Sequence, residues 1–562
     1  MRCPSRFRNQ EIPRRIRSAD SGTPVSSRDD RGGGVMAGEK MVSLTIEGRP
    51  VSVAEGTTIL EAAKTAGILI PHYCYHPGLP IAGVCRMCLV EVEKAPKLAP
   101  SCATTVAEGQ VVHVYSEKSL DARKGVLEML LINHPLDCPI CDQSGECELQ
   151  DYTYQEGRED SRYREPKRFN PAEDFGGDVI YVPNRCILCT RCVRFMEDVA
   201  HEPTLNVSER GDRALIGKFE GKDLTHPWAA NVVDLCPVGA LLSKDFLNKA
   251  RAWELDRTPS ICPNCTQGCN VIMETRENQI VRMRPRANEN VNAFFMCDWG
   301  RLNYRWMNEK NRIEHPMVRR DGTLSTTTWE AAISGAASVL NGKKVFVVAS
   351  PMLSNESLFL LSELMQGGSG VFRVAEGEEA PLAGVEDLAL RRERAANVYG
   401  AEKLGFQRTT DLLSGLGRDD VLLIAGEDLV GVDASAVSRA SDVIVISSVL
   451  ADAANRASVV LPIANFSEEE GTVTNLRGRV QRFTQARQAP GDTRPSWLVL
   501  GDLLGAMGKQ TSFFLPSEVF ARLASVNKSF AGLNYDTLGF KGLPLVDAPP
   551  TSPKSQIAVG AA

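Results

Sequence analysis

Apolar and polar residues alternate over residues 42–46 of this 562-residue chain. This alternation predicts a half-buried β-strand. A second alternating run at 51–53 predicts a partner strand, and the Arg-Pro pair at 49–50 predicts the turn between them. The ordered part of the chain is therefore expected to open with a hairpin.

A helix is predicted directly after this hairpin. Thr58 and Glu61 have the spacing of a capping box, which predicts a helix over 59–66, and Gly67 is expected to end it. A cysteine-containing loop comes next along the chain. Two strand patterns follow the loop, and the second of them is expected to close the sheet: 89–92 and 111–114. This order of elements suggests a β-grasp ferredoxin domain.

The middle of the chain predicts short elements. Ser119 can cap a helix that runs to about Ile132, with Asp121 in its first turn. Residues 152–176 are charged and contain proline, so they are expected to form a surface connection. A strand predicted at 179–182 leads into a group of cysteines.

Short apolar runs rich in β-branched residues mark the second half of the chain. They lie at 345–349, 421–425 and 443–447, and helical stretches such as 354–365 separate them. This alternation predicts parallel strands joined by crossover helices, an α/β domain. The glycine-rich segment 367–370 is expected to be a turn, and no nucleotide-binding G-x-G-x-x-G follows a strand.

Composition narrows the class of protein. The hydrophobic fraction of 43% and the charged fraction of 24% are ordinary for a globular protein. The net charge of −6 gives no reason to expect nucleic acid or a membrane surface as a partner. No apolar run reaches the ~18 residues of a membrane-spanning helix, so any membrane attachment is expected to come through a partner protein.

Both ends of the chain differ from the rest. Residues 1–40 combine many arginines with serine, proline and glycine, and they have no apolar core of a secretory signal. They are expected to be a disordered tail or an extended start, and a mitochondrial transit peptide is the alternative. Residues 546–562 are rich in proline, serine and alanine and are expected to be loose. Cys3, in the first tail, is assigned no role.

Fifteen of the sixteen cysteines lie between Cys74 and Cys297, in four groups. Each group offers four soft or borderline ligands, which is what one iron–sulfur cluster requires. Disulfides suit small secreted chains, and this chain is long and has a cysteine-free half. The four predicted ligand sets are Cys74, Cys85, Cys88 and Cys102; His134, Cys138, Cys141 and Cys147; Cys186, Cys189, Cys192 and Cys236; and Cys262, Cys265, Cys269 and Cys297.

The first set has an arrangement typical of a plant-type [2Fe–2S] site, with three cysteines from one loop and a fourth downstream. A Rieske site that uses His76 is the alternative, but it also needs a second histidine near the later cysteines. The other three sets predict [4Fe–4S] clusters. The second contains only three cysteines, so His134 is the predicted fourth ligand, and the third has the bacterial ferredoxin spacing with a remote Cys236-Pro.

Zinc is the main alternative to iron and sulfide. Structural zinc sites pair two Cys-x2-Cys knuckles, whereas the first three sets have clustered ligands plus one remote ligand. The fourth set fits zinc loosely. A zinc-bound interaction protein therefore remains the non-enzyme alternative.

Three segments resemble the large iron–sulfur subunit (G type) of respiratory NADH–quinone oxidoreductase, complex I. They begin at Ile81-Ala-Gly-Val-Cys, at His134-Pro-Leu-Asp-Cys and at Asp234-Leu-Cys-Pro. The resemblance covers about 41–313 and implies one [2Fe–2S] and three [4Fe–4S] clusters, the second ligated by His134. It also implies that electrons arrive from a flavin- and NADH-binding subunit and leave toward quinone through another iron–sulfur subunit, and that the fourth cluster lies off this path.

Residues 314–545 resemble a molybdopterin oxidoreductase domain more weakly, through Ser458-Val-Val-Leu-Pro, Glu469-Glu-Gly-Thr and Asn475-Leu-Arg-Gly-Arg. No cysteine follows Cys297, so no thiolate from this region can bind molybdenum, and a degenerate domain without active metal is expected. A molybdenum-dependent formate dehydrogenase and a subunit of a NAD-reducing hydrogenase are the rival enzymes.

The predicted architecture is an α+β and α/β multidomain chain. Its expected function is electron relay in complex I, with no catalytic residue or NADH site of its own, at the cytoplasmic face of the bacterial inner membrane rather than the mitochondrial matrix. The predicted domains are a tail (1–40), a β-grasp [2Fe–2S] ferredoxin-type domain (41–118), a His/Cys3 [4Fe–4S] domain (119–158), a [4Fe–4S] ferredoxin-like domain (159–255), a Mo/W-oxidoreductase-type [4Fe–4S] domain (256–313), a molybdopterin-oxidoreductase-like domain (314–545) and a tail (546–562).

Overall fold

The computed structural model describes residues 40–450, 455–509 and 512–549. The predictions for Cys3 and for nearly all of residues 1–40 lie outside these ranges, as does most of 546–562. The first part of that last segment is anchored rather than loose, because the Val546 N–H donates to the Ser529 carbonyl at 3.0 Å. No helix within the described ranges has the length and apolar character needed to cross a bilayer.

A five-stranded mixed sheet with the strand order β2-β1-β5-β3-β4 forms the first unit. This order, with β1 parallel to β5 and helix α1 after the first hairpin, confirms the predicted β-grasp domain. Its elements are β1 (Met41–Ile46), β2 (Arg49–Ala54), α1 (Ile59–Thr65), β3 (Leu89–Val92), β4 (Ala99–Pro100) and β5 (Val111–His113).

Two details of this unit correct the sequence predictions. The turn lies at Glu47-Gly48, where both residues have positive φ values of 50° and 74°, while residues 49–50 already belong to β2. Positive φ at both turn residues is what a two-residue hairpin of matching twist requires. Strand β5 lies between β1 and β3, in the middle of the sheet and not at its edge. The buried Val112 of β5 pairs in parallel with the buried Ile46 of β1.

Helix α2 (Glu117–Leu131) begins earlier than predicted. Its N-cap is Ser116, whose Oγ accepts a hydrogen bond from the Ser119 N–H at 3.3 Å. Ser119, the predicted cap, is instead buried inside the first turn, and Glu117 is the acidic residue there. Both serines fit the cap chemistry, and the buried position of Ser119 decides between them.

Small sheets and short helices make up the region from 132 to 313. The surface connection predicted at 152–176 is partly wrong, because helix α3 extends to Glu156 and a strand starts at Glu173. The elements are α3 (Glu148–Glu156), β6 (Glu173–Gly176), β7 (Val179–Tyr181), α4 (Arg191–Arg194), β8 (Leu205–Ser208), β9 (Leu215–Lys218), α5 (Asn231–Leu235), β10 (Leu241–Ser243), β11 (Asp256–Ile261), β12 (Asn270–Arg276), β13 (Gln279–Pro285) and α6 (Asp298–Leu302).

An eight-stranded sheet dominates the second half, in the order β15-β14-β23-β22-β21-β16-β17-β20. The strands from β23 to β20 are parallel, which confirms the predicted α/β domain. The sheet strands are β14 (Met317–Arg320), β15 (Thr323–Thr326), β16 (Val345–Ala349), β17 (Ser369–Phe372), β20 (Gln407–Arg408), β21 (Val421–Ala425), β22 (Asp442–Ser447) and β23 (Val459–Pro462); a hairpin adds β18 (Ala380–Pro381) and β19 (Ala389–Leu390).

Helices and a small sheet cover this domain. Helix α8 lies within the predicted stretch 354–365 and has Ser354 as its N-cap. The predicted turn at 367–370 gives way to β17 from Ser369 onward. The remaining elements are α7 (Trp329–Leu340), α8 (Asn355–Leu364), α9 (Val398–Lys403), α10 (Ala434–Val437), β24 (Gly471–Thr474), β25 (Arg479–Phe483), α11 (Ser496–Ala506), α12 (Pro516–Val526), α13 (Tyr535–Leu538) and β26 (Leu543–Pro544).

Candidate metal centres

The four cysteines of the first set lie together around the loop between α1 and β3. The Cys74 N–H donates to Cys85 Sγ at 3.5 Å. The Cys102 thiol contacts Cys74 and Cys88, and its hydrogen bonds lower the pKa of both of these thiols. The structure therefore brings all four predicted ligands of this set to one place.

His76, the ligand of the Rieske alternative, is partly buried beside this set. Its Nδ1 accepts a hydrogen bond from the Gly78 N–H at 3.1 Å, and its ring packs edge-on against Phe294. Burial lowers the pKa of His76 and keeps its imidazole neutral. Its Nδ1 is thus already engaged by the protein.

The second set spans the turn after α2 and the start of α3. The pKa values of Cys141 and Cys147 are raised mainly by burial and further by the neighbouring thiols, Cys138 for Cys141 and Cys141 for Cys147. The pKa of His134 is lowered to about 4, first by burial and then by the charges of Lys167 and Arg185. Its imidazole is therefore neutral at physiological pH, which is the form that binds a metal.

Arg185 interacts electrostatically with both the histidine and a cysteine of the second set. Its charge acts on both His134 and Cys141, and its guanidinium is held by Asp137 at 2.9 Å. A Cβ atom added to Gly239, three residues after Cys236, would collide with Cys141 Sγ. The loop that carries the last cysteine of the third set thus also packs against the second set.

The third set lines a pocket with about 330 Å³ of empty space, part of which is open to solvent. All four of its cysteines line this space: Cys186, Cys189, Cys192 and Cys236. Burial raises the pKa of three of these thiols to about 11. A cavity walled by four sulfur atoms is a shape that a metal–sulfide cluster fits.

The ligand loop of the third set has an unusual backbone. Leu188 and Thr190 have positive φ values of 53° and 60°, a region that residues other than glycine seldom adopt. The Leu188 N–H donates to Cys186 Sγ at 3.4 Å, as expected where backbone amides face bound sulfur. Such strained residues cluster at functional sites.

The fourth set lies between β11, β12 and α6. The Gly300 N–H donates to Cys297 Sγ at 3.3 Å. A Cβ atom at Gly300 would lie 3.0 Å from Cys262 Sγ and 3.4 Å from Cys297 Sγ, so this glycine lets both sulfur atoms approach. Burial raises the pKa of Cys262 to about 12, and Cys265 and Cys269 are buried beside it.

These donor sets fit iron–sulfur clusters, since buried thiols, amides directed at sulfur and, at the third set, a pocket lined by all four cysteines occur together. Across the described ranges, no three His, Cys, Asp or Glu side chains converge as ligands of a single metal ion. The ligands of a four-iron cluster bind different iron atoms and lie farther apart. The assignment of each residue as a ligand stays a prediction.

Two arginines near these sets are not among the site residues predicted from the sequence. Arg191 and Arg194 lie on α4 and donate to backbone carbonyls of the first and third sets. One sequence signal could have identified them. The two arginines are three residues apart beside a Cys-x2-Cys motif, and this spacing places both side chains on one face of a helix.

Family models match most of residues 39–506, domain by domain. Their order confirms the predicted fold class, with 2Fe-2S, 4Fe-4S and molybdopterin-oxidoreductase domains in succession. The matches are a 2Fe-2S iron-sulfur cluster binding domain (39–117), the NADH-ubiquinone oxidoreductase-G iron-sulfur binding region (123–162), the NADH-quinone oxidoreductase subunit 3 ferredoxin-like domain (176–242), the molybdopterin oxidoreductase Fe4S4 domain (255–309) and molybdopterin oxidoreductase (312–391 and 393–506).

The G-type subunit of NADH-quinone oxidoreductase from Rickettsia bellii is 40% identical over 329 residues, which cover 58% of this chain and 48% of that protein. The mitochondrial NADH-ubiquinone oxidoreductase 78 kDa subunit of Candida albicans is 42% identical over 393 residues, which cover 68% of this chain and 52% of that protein. The chain is a homologue of the G-type subunit of NADH–quinone oxidoreductase. The resemblance expected from the cysteine motifs is thereby confirmed.

This G-type homologue spans about half the length of the curated relatives it matches. It contains domains of the kinds that bind 2Fe-2S and 4Fe-4S clusters. A crystal structure of an NAD+-reducing [NiFe]-hydrogenase in the H2-reduced state contains a chain that is 30% identical. The match covers 37% of this chain and 90% of that chain, with a TM-score of 0.33.

Proposed function

We propose that this chain is the electron-relay subunit of NADH–quinone oxidoreductase, complex I. It would pass electrons from the flavin subunit that oxidises NADH toward quinone, a transfer that the complex couples to proton translocation. The chain itself would hold no NADH site and no catalytic residue. The proposal fits its homology to G-type subunits of this enzyme.

One observation carries the proposal: the first three cysteine sets form a contiguous group. The carbonyl oxygens of Cys74 and Cys189, from the first and third sets, accept hydrogen bonds from the same Arg194 nitrogen. The Glu148 N–H, next to Cys147 of the second set, donates to the Pro237 carbonyl at 3.2 Å. Cofactors held at these sets would be near neighbours, which an electron relay requires.

The ligands in this proposal are the sixteen residues of the four sets. One [2Fe–2S] cluster would sit at the Cys74 set, and three [4Fe–4S] clusters would sit at the others, supplying one-electron chemistry. The protein's contribution is ligand type, amide donors to sulfur and burial. The domain limits predicted from the sequence, including 41–118 for the first and 256–313 for the fourth, are part of the proposal.

The proposed partners follow from this role. A flavin- and NADH-binding subunit would deliver electrons near the Cys74 or Cys186 set, and another iron–sulfur subunit would receive them from the His134 set. The chain would lie at the cytoplasmic face of a bacterial inner membrane and meet the membrane only through the complex. The domain at 314–545 would serve as a scaffold without active metal.

Paired variants in the assembled complex test the proposal. Cys192→Ala is expected to abolish NADH-to-quinone turnover, because it breaks a set inside the contiguous group. Cys297→Ala is expected to remove one [4Fe–4S] EPR signal at little cost to turnover. Full turnover in Cys192→Ala, or stoichiometric molybdenum in the purified complex, would overturn the proposed role.

A further inference from the structure

Two arginines of helix α4 lie between the first and third cysteine sets. Arg191 is buried, and Arg194 is partly buried. They are three residues apart on the helix, so their side chains leave from the same face. Neither is a predicted ligand, and neither is needed to complete a set of four.

Arg194 connects the two sets through a single nitrogen atom. Its Nη2 lies 2.5 Å from the Cys74 carbonyl oxygen and 3.2 Å from the Cys189 carbonyl oxygen. Its Nη1 donates to the carbonyl of Pro80, in the loop of the first set. A change in the separation of the two ligand loops would break at least one of these bonds.

Arg191 also connects the loops of the first and third sets, and it lies close to a residue beside the second set. Its Nη2 donates to the Tyr75 carbonyl at 2.7 Å, and its Nη1 donates to the Leu235 carbonyl at 3.2 Å. Its Nη1 also lies 3.7 Å from Glu148 Oε1. These three acceptors are each the chain neighbour of a cysteine: Cys74, Cys236 and Cys147.

The positive charges of both arginines act on cysteines of these sets: against the burial that raises the pKa of Cys189, Arg191 and Arg194 favour its thiolate form and so act to lower that pKa, and Arg194 also interacts with Cys74. Within the described part of the chain, the Arg194 guanidinium donates to backbone carbonyls and the Thr190 hydroxyl, and no carboxylate lies within ion-pair distance of it. An arginine stays protonated, so this charge is permanent. In a buried, low-dielectric region a fixed positive charge stabilises added negative charge more strongly than it would in water.

We infer that Arg191 and Arg194 are positioning residues that fix the gap between the first and third clusters and raise the reduction potentials of both. The inference rests on the proposed function, because it requires a cluster at each set. The carbonyl bonds carry the positional part, and the fixed positive charge carries the electrostatic part. Lysine would preserve the charge but lose the forked donor geometry.

The test is an EPR-monitored redox titration of the full chain, anaerobically reconstituted with iron and sulfide. Arg194→Met and Arg191→Met are expected to raise the oxidised-to-reduced ratio of the first and third clusters at least tenfold at the wild-type midpoint, which is about 59 mV for a one-electron couple. Arg194→Lys and Arg191→Lys are expected to shift it by less than half as much. The fourth cluster should not move.

Arg123→Met is the control, since Arg123 is buried and donates to the Val114 carbonyl at 2.6 Å, but its charge is paired with Glu156 at 3.0 Å and it contacts neither ligand loop. It should leave all midpoints unchanged. If Arg191→Met fails to hold a cluster, the titration of Arg194→Gln tests the inference instead, because Arg194 is less buried and its replacement should perturb the fold less. If the clusters are present but their midpoints are unchanged in Arg194→Met and Arg194→Gln, the inference is wrong and the proposed function is unaffected. A wild-type chain that forms no clusters overturns the proposed function as well.

Discussion

The two halves of the molecule differ in whether cysteines line their cores. In residues 41–313, at least one buried cysteine of every set belongs to one hydrophobic cluster with aromatic side chains such as Phe195, Trp228 and Phe295, and Cys88 and Cys102 lie in a second cluster. In residues 314–545, the buried polar groups bond to one another: the Glu356 carboxyl accepts from the Thr472 N–H and hydroxyl at 2.9 Å and from the Tyr535 hydroxyl at 2.8 Å.

This difference indicates what each half needs in order to fold. The sheets of residues 132–313 have two or three strands, and buried thiols stand where further apolar side chains would be expected. The eight-stranded sheet of the second half has fully buried strands such as β16 and β21. The first half is therefore expected to depend on bound metal, and the second half to be stable by itself.

Removal of iron should give the largest difference between the halves. Chelation under reducing conditions is expected to abolish hydrogen-exchange protection in most of residues 132–313, because the ligand loops lose the cofactor that joins them. Strands β16, β21 and β22 should keep their protection. Equal loss of protection in both halves, measured by mass spectrometry, would contradict the comparison.

His134→Cys addresses the ligand chemistry of the first half. The variant should keep a [4Fe–4S] cluster at the second set, and the midpoint potential of that cluster should fall, because a thiolate adds negative charge where a neutral imidazole stood. An EPR redox titration measures this shift. His226→Cys, at a histidine outside the four sets, is the control and should leave every midpoint in place. An unchanged potential in His134→Cys would mean that His134 is not a ligand.

The buried carboxyls of the second half predict a pH dependence. Burial raises the pKa values of Glu356 and Glu469 from 4.5 to about 7. Between these values the folded state holds protons that the unfolded state has released, so stability should fall as pH rises from about 4.5 to about 7 and level off above. The slope is at most about 1.4 kcal/mol per pH unit for each carboxyl.

Glu356→Gln tests this dependence, because an amide has the shape of the carboxyl but does not titrate. The variant should flatten the pH dependence of urea-induced exposure of β16 and β21, followed by hydrogen exchange. Glu363→Gln, at a partly exposed carboxylate, should leave the dependence as it is. A wild-type chain whose second half gains stability from pH 5 to pH 7 would show the opposite sign and refute the expectation.

Helix caps should give the smallest effects, and equal ones in both halves. Ser116 caps α2 and Thr328 caps α7, each through a 3.3 Å hydrogen bond to a first-turn N–H. Ser116→Ala and Thr328→Ala should each cost about 1 kcal/mol, because a cap acts locally. Hydrogen exchange of the two helices measures the cost. A much larger loss at Ser116 would show that metal binding and local helix stability are coupled.

The sequence was most informative where pattern alone decides structure. Apolar runs located β16 and β21 to the residue, because a fully buried parallel strand has an apolar side chain at every position. The cysteine spacing predicted four ligand sets, since soft ligands at such intervals have few other uses. The capping residue of α2 was misassigned, because Ser116 and Ser119 carry the same local signal.

Long-range contacts were the part that sequence could not supply. Arg191 and Arg194 acquire their role only when the loops of Cys74 and Cys189, 115 residues apart in sequence, meet at one helix. The central place of β5 likewise depends on its parallel partner β1. Nothing local to these residues specifies which distant segment they will contact.

The central claim is that thiolates and one imidazole hold inorganic iron and sulfide at four places. Its most direct test is the iron and acid-labile sulfide content of the anaerobically reconstituted chain, with EPR spectra taken during stepwise reduction. The account predicts about fourteen iron atoms per chain and separate signals from one [2Fe–2S] and three [4Fe–4S] clusters. Fewer than about eight iron atoms, or zinc in place of iron, would contradict it.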